Sequence, residues 1–208
     1  MENNNATVYI VDDDPDVREA LRYLIESVQL EARAFPSIAE FLDGYRPGNP
    51  GCMVLDVRMP GMSGMEFLER CETLGVELPV VMLSGHGTVP MATRALRSGA
   101  VDFVQKPVNE QLLLDRVHEA IGLSRKQMER ESLNGRLSGL TLREMEVVRK
   151  IAAGLHNKEI AQQLKLSNRT VESHRAHAMR KLDVHTTADL VALVVRQGAA
   201  PGGAQNNQ

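Results

Sequence analysis

The sequence predicts an α/β domain built on a doubly wound, five-stranded parallel sheet, followed by an all-α domain of four helices. Three observations lead there. Over residues 1–120 short β-branched or apolar runs alternate with helical patterns. From about Leu140 onward no strand pattern remains. The charge divides in the same region: residues 1–120 hold 10 basic and 19 acidic side chains, net −9, while residues 121–208 hold 14 and 8, net +6, with four of the six histidines. The overall charge of −3 over 208 residues conceals this division, and the length accommodates two domains. A sign asymmetry of this size marks the basic half as a candidate for a polyanion.

Each element follows from its own residues. Strands are expected at Thr7–Val11, Glu31–Phe35, Cys52–Asp56, Pro79–Ser84 and Val101–Gln105. Helices are expected between them at Pro15–Val28, Ser37–Gly44, Gly64–Leu74 and Thr88–Ser98, with a further one starting at Asn109. The first carries Val17, Leu21, Leu24, Ile25 and Val28, an apolar stripe at helical spacing. Strands alternating with such helices form βαβ units, and the order 2-1-3-4-5 is common for five of them. In the second half Thr141 caps a helix over Leu142–Ala153 that Gly154 stops. Asn157–Leu164 forms the next, Ser167 or Asn168 caps one reaching Leu182, and Thr186–Gln197 ends at Gly198. The expected organisation is a first domain over 1–122, a partly helical linker over 123–139 with its hinge at Asn134–Gly139, a helical domain over 140–200 and a disordered tail over 201–208.

Several classes drop out. No apolar run approaches the ~20 residues of a membrane span. The start MENNNATVYIVDDD has no basic segment of the kind that opens a signal peptide, so a cytoplasmic location is expected. Cys52 and Cys71 make neither a disulfide framework nor a metal-ligand spacing.

The polar residues of the first half are the informative ones. Asp12, Asp13 and Asp14 follow the first strand, Asp56 ends the third, Ser84 ends the fourth, and Lys106 follows the fifth. Taken singly, the Asp run reads as a turn with a helix cap, Asp56 as a strand-end residue and Lys106 as a solvated loop lysine. Taken together, they stand at strand C-termini, and these share the edge where doubly wound sheets bind ligands. Carboxylates in that crevice suit Mg²⁺, which keeps sites for phosphate oxygens. Lysine and a hydroxyl can hold further phosphoryl oxygens, and an aspartate can act as nucleophile to form an acyl phosphate.

The segments VDDD (11–14), VLDVRMPGMSG (54–64), VVMLSGHG (80–87) and AVDFVQKP (100–107) resemble the receiver domain of two-component response regulators over nearly all of residues 6–122. The resemblance implies that Asp56 accepts a phosphoryl group from a sensor histidine kinase. It further implies that Asp12, Asp13 and Asp56 hold Mg²⁺ with the Arg58 backbone carbonyl, and that Lys106 binds the phosphate. Ser84 is then the switch hydroxyl and Phe103 the switch aromatic, whose repacking alters the face from Thr88 to Ala120 and favours a homodimer.

In the second half, helices of about 8 and 15 residues around a short turn match helix-turn-helix geometry. Arg169, Glu172, Ser173, Arg175, Ala176, Arg180 and Lys181 are left for the outer surface of the longer helix. Charge and helix count alone lean toward a four-helix protein-interaction module with a solvated basic face. The segments LTLREMEVV, IAAGLHNKEIA and TVESHRAHAMRKL, however, resemble the LuxR-type DNA-binding domain, and with SGHG-x-VPMA they resemble the FixJ-like branch of the FixJ/NarL family. That resemblance implies double-stranded promoter DNA as partner, and RNA polymerase as well if the protein activates. Glu172, Ser173 and Ala176 then face bases, Asn157, Lys158, Arg169 and His174 face the backbone, and Thr170 and Lys181 complete the contact set. His156 departs from the small hydroxyl residue usual before NKEIA, and Glu172 from a common lysine. Two alternatives are an Asp-nucleophile phosphohydrolase, which Asp12-x-Asp14 would suit, and a phosphorylation-independent DNA-binding regulator.

Overall fold

A computed structural model describes residues 5–196, which divide into two compact units with the boundary between Met128 and Glu129. The first unit contains β1 (Thr7–Val11), α1 (Pro15–Ser27), β2 (Glu31–Phe35), α2 (Ile38–Gly44), β3 (Gly51–Asp56), α3 (Gly64–Arg70), β4 (Val80–Ser84), α4 (Val89–Arg97) and β5 (Asp102–Gln105). The helix α5 (Glu110–Ser138) starts in it, and the second unit adds α6 (Leu142–Ala152), α7 (Asn157–Leu164), α8 (Asn168–Leu182) and α9 (Thr187–Arg196).

All strand pairs are parallel and the order is β2-β1-β3-β4-β5, the doubly wound arrangement expected. Every residue of β1, β3 and β4 is buried, as a sheet covered on both faces requires. Side chains alternate between two cores: Tyr9, Val11, Met53, Leu55 and Met82 enter one, while Val8, Ile10, Val54, Val81 and Leu83 enter the other. The edge strand β2 differs, with Glu31 and Arg33 pairing at 2.8 Å on an exposed ribbon. A third core, formed by Leu137, Val147, Val148, Ile151, Ile160, Val171, Ala178, Leu182, Leu190 and Val194 among others, holds the second unit.

Caps explain most boundaries. Asp14 accepts the Asp16 and Val17 N–H groups at the start of α1, with Pro15 at its first position. Thr141 and Glu144 form a reciprocal capping box on α6. Ser167, not Asn168, caps α8, accepting Thr170 N–H at 3.0 Å. Lys165 and Asp183 end α7 and α8 in the left-handed region, with φ of 55° and 54°.

Two expectations change. The third helix ends at Arg70 instead of Leu74, because Leu74, Gly75 and Val76 donate to carbonyls of residues 70–72 in a turn that Gly75 completes at φ 72°. The hinge expected at Asn134–Gly139 is helical through Ser138. Asn134 and Gly135 are weak helix formers, with Gly costing about 1 kcal/mol. Leu133 and Leu137 offset this by packing into the third core, and the helix gives way only at Gly139. The expected stop at Gln197–Gly198 and the tail over 201–208 lie outside the described residues.

Candidate functional site

The strand C-termini bring the acidic half's polar residues together. Asp12, just beyond β1, and Asp56, the last residue of β3, are 1% and 6% exposed. The Lys106 ammonium, just beyond β5, sits between them at 2.6 Å from Asp12 Oδ2 and 2.6 Å from Asp56 Oδ1. The remaining carboxylate oxygens take backbone donors: Asp14 N–H gives to Asp12 Oδ1 at 3.0 Å, and Arg58 N–H to Asp56 Oδ2 at 2.7 Å. Two buried carboxylates therefore share one cation.

The electrostatics follow. Burial raises the Asp12 carboxyl above its usual range, and the hydrogen bonds from Lys106 and the Asp14 amide only partly offset it. Burial alone would lower the Lys106 ammonium, but Asp12 and Asp56 together outweigh it and hold the ammonium above its ordinary value. Two carboxylates share a single ammonium, so the crevice retains negative character.

Asp13 is exposed at the rim, beside Asp12. Among the described residues no three acidic, His or Cys side chains gather as a ready-made metal cage. Mg²⁺ does not require one, since it binds through one or two carboxylates and keeps water. The donor set fits that ion in its chemistry: hard oxygens, buried, with unbalanced charge. By contrast, burial pushes the Cys52 thiol up to about 12, leaving it inert.

Ser84 ends β4 at 2% exposure, and its hydroxyl accepts His86 N–H at 3.3 Å. Phe103, in β5, is half-buried against the first core, its N–H held by Asp102 Oδ1 at 2.7 Å. Three positioning residues were not singled out from the sequence. Arg18 donates to the Asp12 carbonyl at 2.7 Å and ties the start of α1 to the acidic loop. Gly64 lies so close that a Cβ there would stand 2.0 Å from the Asp56 carbonyl oxygen. Gly87 lies against the Phe103 ring. Gly64 and Gly87 lie within the motifs VLDVRMPGMSG and VVMLSGHG, which offered the available signal.

In the second unit, Val171, Ala178 and Leu182 bury one side of α8. Arg169, Glu172, Ser173, Ala176, His177, Arg180 and Lys181 recur at three- and four-residue spacing and are all exposed, forming one continuous face. Thr170 and His174 are half-buried at its border. Arg175, expected on that face, is half-buried instead and donates to Thr187 Oγ1 of α9. Lys181 is exposed, yet its ammonium bonds Glu144 of α6 at 2.8 Å. A groove of about 670 Å³ opens at the N-terminus of α7, lined in part by Asn157, Lys158, Asn168 and Arg175. There His156 caps α7 without its side chain, while its N–H goes to Glu159 Oε2 at 2.7 Å.

Comparison with known proteins assigns both units. The family model of the response regulator receiver domain matches residues 8–118, and that of bacterial regulatory proteins of the luxR family matches residues 138–194. The transcriptional regulatory protein TdiR of Thauera aromatica is 41% identical over 197 residues, covering 93% of this chain and 87% of the relative. FixJ of Azorhizobium caulinodans is 39% identical over 198 residues, covering 93% and 94%. Among solved structures, the response regulator StyR aligns with a TM-score of 0.72 and 40% identity over 92% of this chain and 99% of its own. Full-length FixJ from B. japonicum aligns with a TM-score of 0.56 and 35% identity, over 92% and 97%. With a carboxylate crevice on one unit and an exposed helix-turn-helix face on the other, the chain belongs to the response regulators of two-component systems, transcription regulators that join a receiver domain to a LuxR-type DNA-binding domain.

Proposed function

We propose that Asp56 accepts a phosphoryl group from a sensor histidine kinase and that the modification controls promoter binding by α8. The observation that carries this reading is the Lys106 ammonium shared by buried Asp12 and Asp56 at the sheet's C-terminal edge. An Asp56 carboxylate oxygen attacks phosphorus, the bond from phosphorus to the donor imidazole nitrogen breaks, and its electron pair leaves with the imidazole. Lys106 balances the charge gathering on the phosphoryl oxygens. Asp12, Asp13, Asp56 and the Arg58 carbonyl would hold Mg²⁺, which supplies charge neutralisation for the transferring group. Self-phosphorylation from a small donor and slow loss of the group are the enzyme-like chemistry the chain carries.

The acyl phosphate brings charge and acceptor oxygens that draw Ser84 and Lys106 toward it, leaving space for Phe103 to fill. Repacking of the surface around α4 and β5 then favours a homodimer, suited to paired half-sites on DNA. On α8, Glu172, Ser173 and Ala176 face base edges. Asn157, Lys158, Arg169 and His174 face the sugar-phosphate backbone, which the groove at the start of α7 would accommodate, and Thr170 completes the contact set. Lys181 belongs to the same face, with its ammonium divided between Glu144 and any phosphate in reach. The protein acts in the cytoplasm, and as an activator it would also meet RNA polymerase.

The test is direct. With Mg²⁺ and acetyl phosphate the wild-type chain gains the mass of one phosphoryl group and Asp56→Asn gains none. Equal labelling of Asp56→Asn overturns the assignment of the acceptor.

A further inference from the structure

The β4–α4 turn contains a close approach that the mechanism above does not use. A Cβ placed on Gly87 would stand 2.6 Å from Phe103 Cε1, 3.1 Å from its Cζ and 3.7 Å from Ser84 Cβ. The first distance is well inside van der Waals contact, so any side chain at 87 collides with the ring. Backbone strain is not the reason for glycine here, because Gly87 is absent from the glycines with positive φ, unlike Gly75 and Gly99. The bare α-carbon is needed for one neighbour only, the Phe103 ring.

We infer that Gly87 is the seat of the Phe103 ring and thereby sets the balance between the ring's positions. This rests on the reading of Ser84 and Phe103 as the switch pair. Ser84, Gly87 and Phe103 meet within one small volume, and Ser84 is bound to the same turn through His86 N–H. Withdrawing Ser84 toward a modified Asp56 disturbs the turn that carries the seat, so hydroxyl and ring respond together. The backbone of the residue is held, since Phe103 pairs with Met82 in the β4–β5 ladder. Movement is therefore confined to the side chain. A methyl group at 87 removes the seat whether or not Asp56 is modified, and phosphorylation then has less ring movement left to cause.

The experiment uses the full chain with 4-fluorophenylalanine, whose four sites are Phe35, Phe41, Phe67 and Phe103. The Phe103 resonance is assigned by its loss in Phe103→Leu. In Gly87→Ala without phosphodonor, that resonance should move while the other three stay. Acetyl phosphate should then shift it less than in wild type, and the phosphorylation-induced gain in DNA affinity should fall by about threefold or more. An unmoved Phe103 resonance in Gly87→Ala overturns the inference. A thermal-stability cycle covers the case of poor folding: Gly87→Ala should lower the melting temperature in the wild-type background and do so far less in Phe103→Leu. An equal loss in both backgrounds also overturns it. Mass measurement of labelling in the wild-type chain separates the two ideas, because failure of wild type to label would fault the phosphoacceptor reading and leave the ring contact, read without phosphodonor, standing.

Discussion

Lys181, which the resemblance sets among the DNA contacts, also has a partner within its own unit. Its ammonium bonds Glu144 Oε2 at 2.8 Å, and the same oxygen accepts Thr141 N–H at 2.8 Å in the α6 capping box. Glu144 is only 4% exposed. The Lys181 hydrogen bond first, and the Thr141 amide second, hold its carboxyl down from the ordinary 4.5 to about 2. Without solvent screening, that drop is worth about 3 kcal/mol. The Lys181 side chain is 42% exposed, so solvent screens the pair, and about 1–2 kcal/mol is the expected cost of Lys181→Met near neutral pH.

The pH dependence has a definite sign. A carboxyl whose folded pKa is depressed stabilises fully above its unfolded pKa and loses that contribution as pH falls through the folded value. The gap between wild type and Lys181→Met should therefore be complete above about 4.5 and fade toward about 2. Urea unfolding followed by circular dichroism, with hydrogen exchange at Val147 and Val148 to identify the second unit, measures it. Binding to DNA over a range of salt measures the competing role. If Lys181→Met costs no stability near neutral pH but reduces the salt slope by about one, Lys181 is a phosphate contact and the tie to α6 does not hold in solution.

Other perturbations separate the remaining roles. Gly64→Ala sets a methyl against the Asp56 carbonyl and should cost about 1–3 kcal/mol while slowing labelling by acetyl phosphate, read from urea midpoints and mass. Lys158→Ala and Arg169→Ala should weaken binding to all sequences and flatten the salt slope by about one each. Glu172→Ala should tighten non-specific binding while lowering discrimination at one base pair by ~1–3 kcal/mol, scored on an operator and all its single substitutions. Unchanged discrimination at every position would make Glu172 a helix-terminus residue favoured by the dipole.

Where local chemistry decides, the sequence was legible. β1 and β2 start and end as expected, because buried parallel strands need unbroken apolar runs or, at the edge, β-compatible alternation. The caps Asp14 and Thr141 were readable because a cap acts within three residues. Asn134–Gly139 was not readable: its composition is that of a turn, while packing of Leu133 and Leu137 against residues far along the chain supports the helix. The end of α3 failed for a related reason, since Leu74 continues the apolar spacing while backbone bonds have already closed the turn.

The site divides along the same line. Asp12, Asp56, Ser84 and Lys106 were legible because parallel topology alone sends strand ends to one edge, whatever the side-chain packing. Asp14 separates from them in the way its Asp-Pro start signal suggests: it is spent on capping α1, so the Asp12-x-Asp14 spacing does not build a second acidic pair in the crevice. Arg18, Gly64 and Gly87 act through proximity to a carbonyl or a ring, which no spacing rule encodes. The same distinction bears on function. A crevice holding two buried carboxylates and one ammonium is poorly compensated as a structural feature, and burial raises Asp12 in consequence. Its unbalanced charge leaves room for a ligand that brings positive charge, and the Ser84 hydroxyl and Phe103 ring meet nearby at the β4–α4 turn.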